Sequence, residues 1–141
     1  MQSAVKIVEQ KTMSKSRGYR DLIVYQKAFA LAMKIFHITK TFPPEEKYAL
    51  ADQIRRSSRS VCSCIAEAYR KRKYQPYFVN KISDADGENS ETIVWLEFSL
   101  ASEYIAQEKF NELEQDAEEV GRMLSSMIEH PEKFLPKAKN E

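Results

Sequence analysis

The stretch Gln53–Tyr74, QIRRSSRSVCSCIAEAYRKRKY, holds seven Lys or Arg residues and a single acid, Glu67. Guanidinium and ammonium groups on a shared surface neutralise phosphates, and Arg does so with two parallel donors. Arg55 and Arg59 are one helical turn apart and share a face, while Arg70, Lys71, Arg72 and Lys73 follow as an unbroken run. Tyr69, Tyr74 and Tyr77 lie beside that run and offer rings on which unpaired bases stack. These six cations are candidate RNA- or DNA-binding residues. The same pattern has a structural reading. Cations are favoured at the negative C-terminal end of a helix, and a basic face can be balanced by acids elsewhere.

Catalytic and metal chemistry is sought and not found. The two histidines, His37 and His130, follow Lys34 and Met127 by three residues, so the Glu-x-x-His pairs of di-metal bundles are absent. There is no glycine-rich phosphate loop and no G-x-S-x-G elbow. Cys62 and Cys64 would point about 200° apart on a helix, which suits neither a mutual disulfide nor a shared metal. They read as small, reduced, partly buried residues. No catalytic residue, metal or cofactor is expected, and the protein is read as non-enzymatic. Gln53, Arg56, Glu67, Glu88 and Glu91 lie on or beside faces that also carry core residues. A carboxylate near a core needs a cation or donors, and Arg56 is the expected partner of Glu67. The group reads as a polar network that sets helix register, or as a ligand or partner site.

Four helices position these residues. Helix 1 is expected from an Asp21 N-cap to about Thr41, with two apolar stripes: Leu22, Tyr25, Phe29, Ala32 and Phe36, then Val24, Ala28, Leu31, Ile35 and Ile38. FPPEEK ends it and opens helix 2, from about Pro44 to Lys71. Helix 3 is expected from about Pro76 to Ala106, and helix 4 from about Asn111 to Glu129 with the stripe Leu113, Ala117, Val120, Leu124, Met127 and Ile128. Gly87 inside helix 3 costs about 1 kcal/mol against Ala, which suggests a kink or a close helix contact. Short connections between long helices predict an all-α fold: an up-down-up-down antiparallel four-helix bundle over residues 19–134. Residues 1–18 read as a flexible N-terminal tail, with Met13 as an alternative start, and 135–141 as a C-terminal tail.

Helix 3 is apolar on nearly every side in IVWLEFSLASEYI. A bundle of this size has no deep centre to hide such a helix. Val94, Trp95, Phe98 and Ile105 are therefore expected to meet another copy, making the protein a homo-oligomer. No run approaches the ~20 apolar residues of a membrane helix, and the N-terminus has no apolar signal core. A cytoplasmic protein with no membrane partner is expected. Residues 1–83 carry 17 basic and 6 acidic side chains, and residues 84–141 carry 5 and 15, against a net charge of only +1. Such asymmetry marks a polyanion site at one end, or two halves that neutralise each other within or between subunits.

DLIVYQKAFALAMKI followed by FPPEEKYALADQIRRSSRSVCSCIAEAYRK resembles the bacterial four-helix-bundle proteins encoded in intervening sequences of 23S ribosomal RNA genes. DADGENSETIVWLEFSLASEYI and GRMLSSMIEHPEKF are similar to that family's third and fourth helices. The motifs are Asp21-Leu22-x-Val24-x-Gln26, Gln53-Ile54-Arg55-Arg56 and Ile65-Ala66-Glu67. The resemblance implies a ring-shaped homopentamer and brings no catalytic residues. It also implies a relation to the accessory protein of diversity-generating retroelements, a pentameric barrel that binds nucleic acid and a reverse transcriptase. Cys64 and Ala68 depart from the family pattern, which usually has Asn and Gly there. Two functions stay open: a nucleic-acid-binding scaffold, and a protein–protein assembly whose basic face meets acidic helices 3 and 4 of neighbouring subunits.

Overall fold

The computed structural model describes residues 15–136; most of the expected N-terminal tail, Met13 included, and residues 137–141 lie outside the described residues. Four α-helices follow one another: α1 Ile23–Thr39, α2 Leu50–Arg70, α3 Gln75–Ala101 and α4 Gln107–Glu129. Each packs against its neighbour in sequence, and α1 closes the ring against α4. The result is the expected four-helix bundle. No helix among the described residues is long and apolar enough to cross a membrane.

On α1 the stripe Val24, Ala28, Leu31, Ile35 turns inward, whereas in the other stripe only Ala32 is buried and Phe29 stays exposed; the apolar stripes of α2, the first half of α3, and α4 also face the core. They form two clusters stacked along the bundle. One gathers Val24, Ala28, Val61, Ile65, Phe78, Ile82, Val120 and Leu124. The other gathers Leu31, Ile35, Ile54, Leu96, Phe110 and Leu113. Buried polar groups lie between them in sequence on α2 and α3. Ser57 and Thr92 hydroxyls share a hydrogen bond of 2.8 Å, and Asn89 Nδ2 donates to the Ala117 carbonyl at 2.8 Å. Gly121 is where the helices approach closely, since a Cβ there would sit 3.3 Å from Asn89 Nδ2. At Gly87 a Cβ would meet nothing within 4 Å, so the expected close contact is not at that glycine.

The helix ends differ from expectation in instructive ways. Asp21 does not cap α1. It closes a 3₁₀ turn, Gly18–Asp21, and its Oδ2 accepts the Arg17 amide at 2.8 Å, so ordered structure begins inside the expected tail. Pro44–Glu46 is a separate 3₁₀ turn, cut from α2 by Ala49 at φ −122°, ψ −105°. Glu46 then ties two connections together: its carboxylate accepts the Leu50 amide at 3.3 Å and the Tyr104 hydroxyl at 2.7 Å.

α3 stops at Ala101, short of the expected Ala106. The Tyr104 amide bonds the Ser99 carbonyl and the Glu103 amide bonds the Leu100 carbonyl, both at 2.9 Å. This is a Schellman ending, with Glu103 in the left-handed position (φ 62°) that glycine usually takes. A glutamate in that position sends no stop signal in the sequence. Glu103→Gly is expected to raise stability by about 0.5–1 kcal/mol by relieving the left-handed strain. A rise in the urea midpoint at constant slope would show it; a fall would mean that the glutamate side chain stabilises the turn.

Candidate nucleic-acid interface

Arg55 and Arg59 project from α2 toward the last turns of α1. Arg55 Nε donates to Thr39 Oγ1 at 2.7 Å, and the buried Thr39 hydroxyl in turn donates to the Ile35 carbonyl at 2.8 Å. Three cations surround the half-buried Phe36 ring, with Lys40 at 4.6 Å, Arg55 at 5.0 Å and Arg59 at 5.7 Å from its centroid. The ring's negative face offsets part of their mutual repulsion. An open groove of about 480 Å³ runs beside them, lined by Asp52, Arg55, Arg56, Arg59, Ser60 and Ser63.

Arg56 leaves this set. Its guanidinium turns to α3 and meets Glu88 at 3.2 Å and Glu91 at 3.0 Å, and these carboxylates, Glu88 foremost, raise its pKa. Glu91 also accepts the Trp95 indole N–H at 3.3 Å. The expected network is therefore only partly assembled. Glu67 pairs with Lys81 at 3.0 Å instead of Arg56, at the surface and not beside the core. Gln53 is exposed and joins neither pair among the described residues. Arg56 and Glu67 lie eleven positions apart on α2, too far along the axis to meet. Periodicity could not name Lys81, because that pairing depends on the α2–α3 register.

The second basic cluster lies beyond the first, roughly 16 Å along the axis from Arg59 to Arg70. Here cations and rings alternate. The Arg72 guanidinium stacks 4.0 Å above the Tyr69 ring and donates to the Tyr69 carbonyl at 3.0 Å. Lys71 sits 5.8 Å from the Tyr77 ring and Lys73 sits 5.3 Å from the Tyr74 ring. None of Arg55, Arg59, Arg70, Lys71, Arg72 and Lys73 has a carboxylate at salt-bridge distance among the described residues.

Elsewhere the two oppositely charged halves do meet. Lys27 pairs with Glu119 at 2.9 Å, and Lys34 bridges Asp116 at 2.7 Å and Glu112 at 3.1 Å across the α1–α4 seam. Lys109 and Lys34 together hold the Glu112 carboxyl below its ordinary range. Part of the charge asymmetry is thus internal neutralisation, Arg56 with Glu88 and Glu91 included, while Arg55, Arg59 and the run Arg70 to Lys73 stand outside it among the described residues. Cys62 and Cys64 are free thiols; burial pushes the Cys62 thiol up to about 12, so it stays protonated and unreactive at neutral pH.

On α3, Val94 and Phe98 are 42% and 55% exposed, and the half-exposed Trp95 packs 5.9 Å from Phe98. Ile105 does not belong with them. The early end of α3 folds it into this chain's own core, 7% exposed in the cluster with Phe42, Leu96 and Phe110. The contributions of Phe36, Thr39 and Lys40 escaped sequence reasoning. Phe36 and Lys40 are one turn apart on α1, but only the α1–α2 packing brings Arg55 and Arg59 to them.

An all-α four-helix bundle with a cluster of cations along and just after its second helix is the class of protein that the fold and the site define. The family model for the 23S rRNA-intervening sequence protein matches residues 20–126, and the chain belongs to that family. It is similar to a crystal structure of a protein with unknown function from the S23 ribosomal protein family of Bacteroides thetaiotaomicron. The two share 31% sequence identity with a TM-score of 0.69, over 76% of this chain and 96% of that one. Comparison with curated proteins finds no match.

Proposed function

We propose that this chain is a non-enzymatic, homo-oligomeric scaffold that binds the phosphate backbone of RNA or DNA through α2. The observation that carries the reading is a set of six cations, three on α2 and three in the turn after it, with no carboxylate partner among the described residues, against the paired cations at the α1–α4 and α2–α3 seams. Unpaired arginines held by Thr39 and by aromatic rings are already oriented, so a phosphate meets them at little entropic cost. The exposed Val94 and Phe98, with the half-exposed Trp95 between them, support assembly into copies, and the resemblance supports five. Repetition around a ring would add weak contacts into useful avidity.

A second reading has its own support. The α3–α4 groove carries Asp86, Glu118 and Glu129, none of them ion-paired among the described residues. A neighbouring subunit's α2 would complement it, leaving no nucleic-acid site. Light-scattering mass combined with RNA and DNA titration separates the two. The scaffold reading expects an oligomer that binds, with affinity lost in R55Q/R59Q and in a variant with Arg70 to Lys73 replaced by Gln, at unchanged mass. If those variants fall to monomers, or the wild type ignores nucleic acid at low salt, the cations are assembly residues. Phe98→Glu is expected to yield monomers; an unchanged mass would remove the α3 face from the interface.

A further inference from the structure

A second groove, of about 560 Å³, opens between α1 and α2 next to the arginine pair. Its α1 wall is aromatic. Tyr25 and Phe29 are one helical turn apart with ring centroids at 6.1 Å, and Tyr19 meets Tyr25 edge-on at 5.0 Å. Its α2 wall is small, built from Cys62, Ser63 and Ala66, which is what leaves room above the rings. Arg59 and Ser63 line both grooves, so the aromatic one adjoins the arginine one. At the far end the Arg20 guanidinium lies 4.6 Å over Tyr19. Phe29 is 40% exposed, an apolar ring facing water on a track with cations at both ends. The one acid on the wall, Glu67, is engaged by Lys81.

Alternating ring faces and cations complement a ligand that alternates flat apolar faces with phosphates. Duplexes present phosphates but keep their base faces stacked inside. Only an unpaired strand can lay a base on Phe29 while its phosphate reaches Arg59. We propose that the α1–α2 groove receives bases of single-stranded nucleic acid, with Tyr25 and Phe29 stacking them and Arg55 and Arg59 holding the flanking phosphates. This rests on the phosphate-binding reading above and narrows its ligand to an unpaired strand.

The test titrates the full chain with labelled oligouridine and oligo-dT of about 20 nucleotides, and with an RNA hairpin of equal length. Wild type, Phe29→Leu, Phe29→Trp and Arg59→Gln are compared, with mass followed by light scattering. The hairpin is closed by a compact tetraloop whose bases stay stacked, and both strands are expected to bind more tightly than it. Phe29→Leu keeps the apolar bulk but removes the ring, and is expected to weaken strand binding roughly tenfold while leaving the hairpin unchanged. Phe29→Trp is expected to retain strand binding. A preference for oligouridine over oligo-dT would assign RNA through its 2′-hydroxyl, and equal affinity would assign either strand; both keep the site. Equal binding of strand and hairpin, insensitive to Phe29→Leu but weakened by Arg59→Gln, overturns the groove site and spares the phosphate reading. Absence of all binding at low salt overturns both. A change of mass in Phe29→Leu makes the groove a seam between copies and overturns the proposal as well.

Discussion

Raising salt from about 50 to 200 mM is expected to weaken duplex binding by this protein roughly a thousandfold. The figure follows from the six cations of α2 and the turn after it that have no carboxylate partner among the described residues. If each meets one phosphate, log affinity falls with log salt at a slope near −5 for a duplex, and near −4 for a single strand. Removing Arg55 and Arg59 should flatten the slope by almost two units, and removing Arg70 to Lys73 by more. A measured slope shallower than about −2 would mean that most of these cations do not touch phosphate. Arg56 supplies an internal control. Its guanidinium already answers Glu88 and Glu91, so Arg56→Gln is expected to leave the slope nearly unchanged.

Phe78→Ala is expected to destabilise the bundle by about 3–5 kcal/mol. Phe78 opens α3, is 0% exposed, and stacks on Phe134 with centroids at 5.9 Å and planes 24° apart. It fills the same cluster as Val24, Ile65, Ile82 and Leu124, so its loss leaves a cavity walled by all four helices. Domains of this size are stable by only about 5–15 kcal/mol, so the loss is a large share of that reserve and the denaturant midpoint is expected to fall sharply. Denaturant midpoints would measure the loss. A cost below about 1 kcal/mol would mean that the neighbours collapse into the space, which close-packed interiors resist. Phe98→Ala is the useful contrast: its ring is 55% exposed in the single chain, so any large stability loss there reports on assembly.

Most of the fold was legible because helical periodicity is a local property. The α4 stripe Leu113, Ala117, Val120, Leu124, Met127 is buried as its spacing predicts, and Ile128 at its end is partly buried. The Phe78, Ile82, Ala85, Asn89 stripe of α3 is buried too. Helix ends were less legible. Leu22 caps α1 without a side-chain hydrogen bond, and α3 ends on a left-handed glutamate, so neither end carries the residue types that usually mark one. Ile105 was misplaced for that reason: extending α3 past Ala101 turned a residue of this chain's core into one facing a neighbour.

The candidate site divides along the same line. Composition and spacing identified Arg55, Arg59 and the run Arg70 to Lys73, because charge type and a one-turn repeat can be read from the chain alone. Which cations are free could not be read, because ion pairs form between helices. Arg56 and Lys81 are matched to Glu88, Glu91 and Glu67 across the α2–α3 seam, while Arg55 instead reaches Thr39 on α1. The adjacency of the aromatic and arginine grooves likewise needs α1 laid against the small residues of α2. The sequence by itself determined four amphipathic helices and the chemical character of each face. Only the tertiary structure decided which faces meet, since rotation and register between packed helices follow from side-chain interlocking over the whole bundle and not from any local repeat.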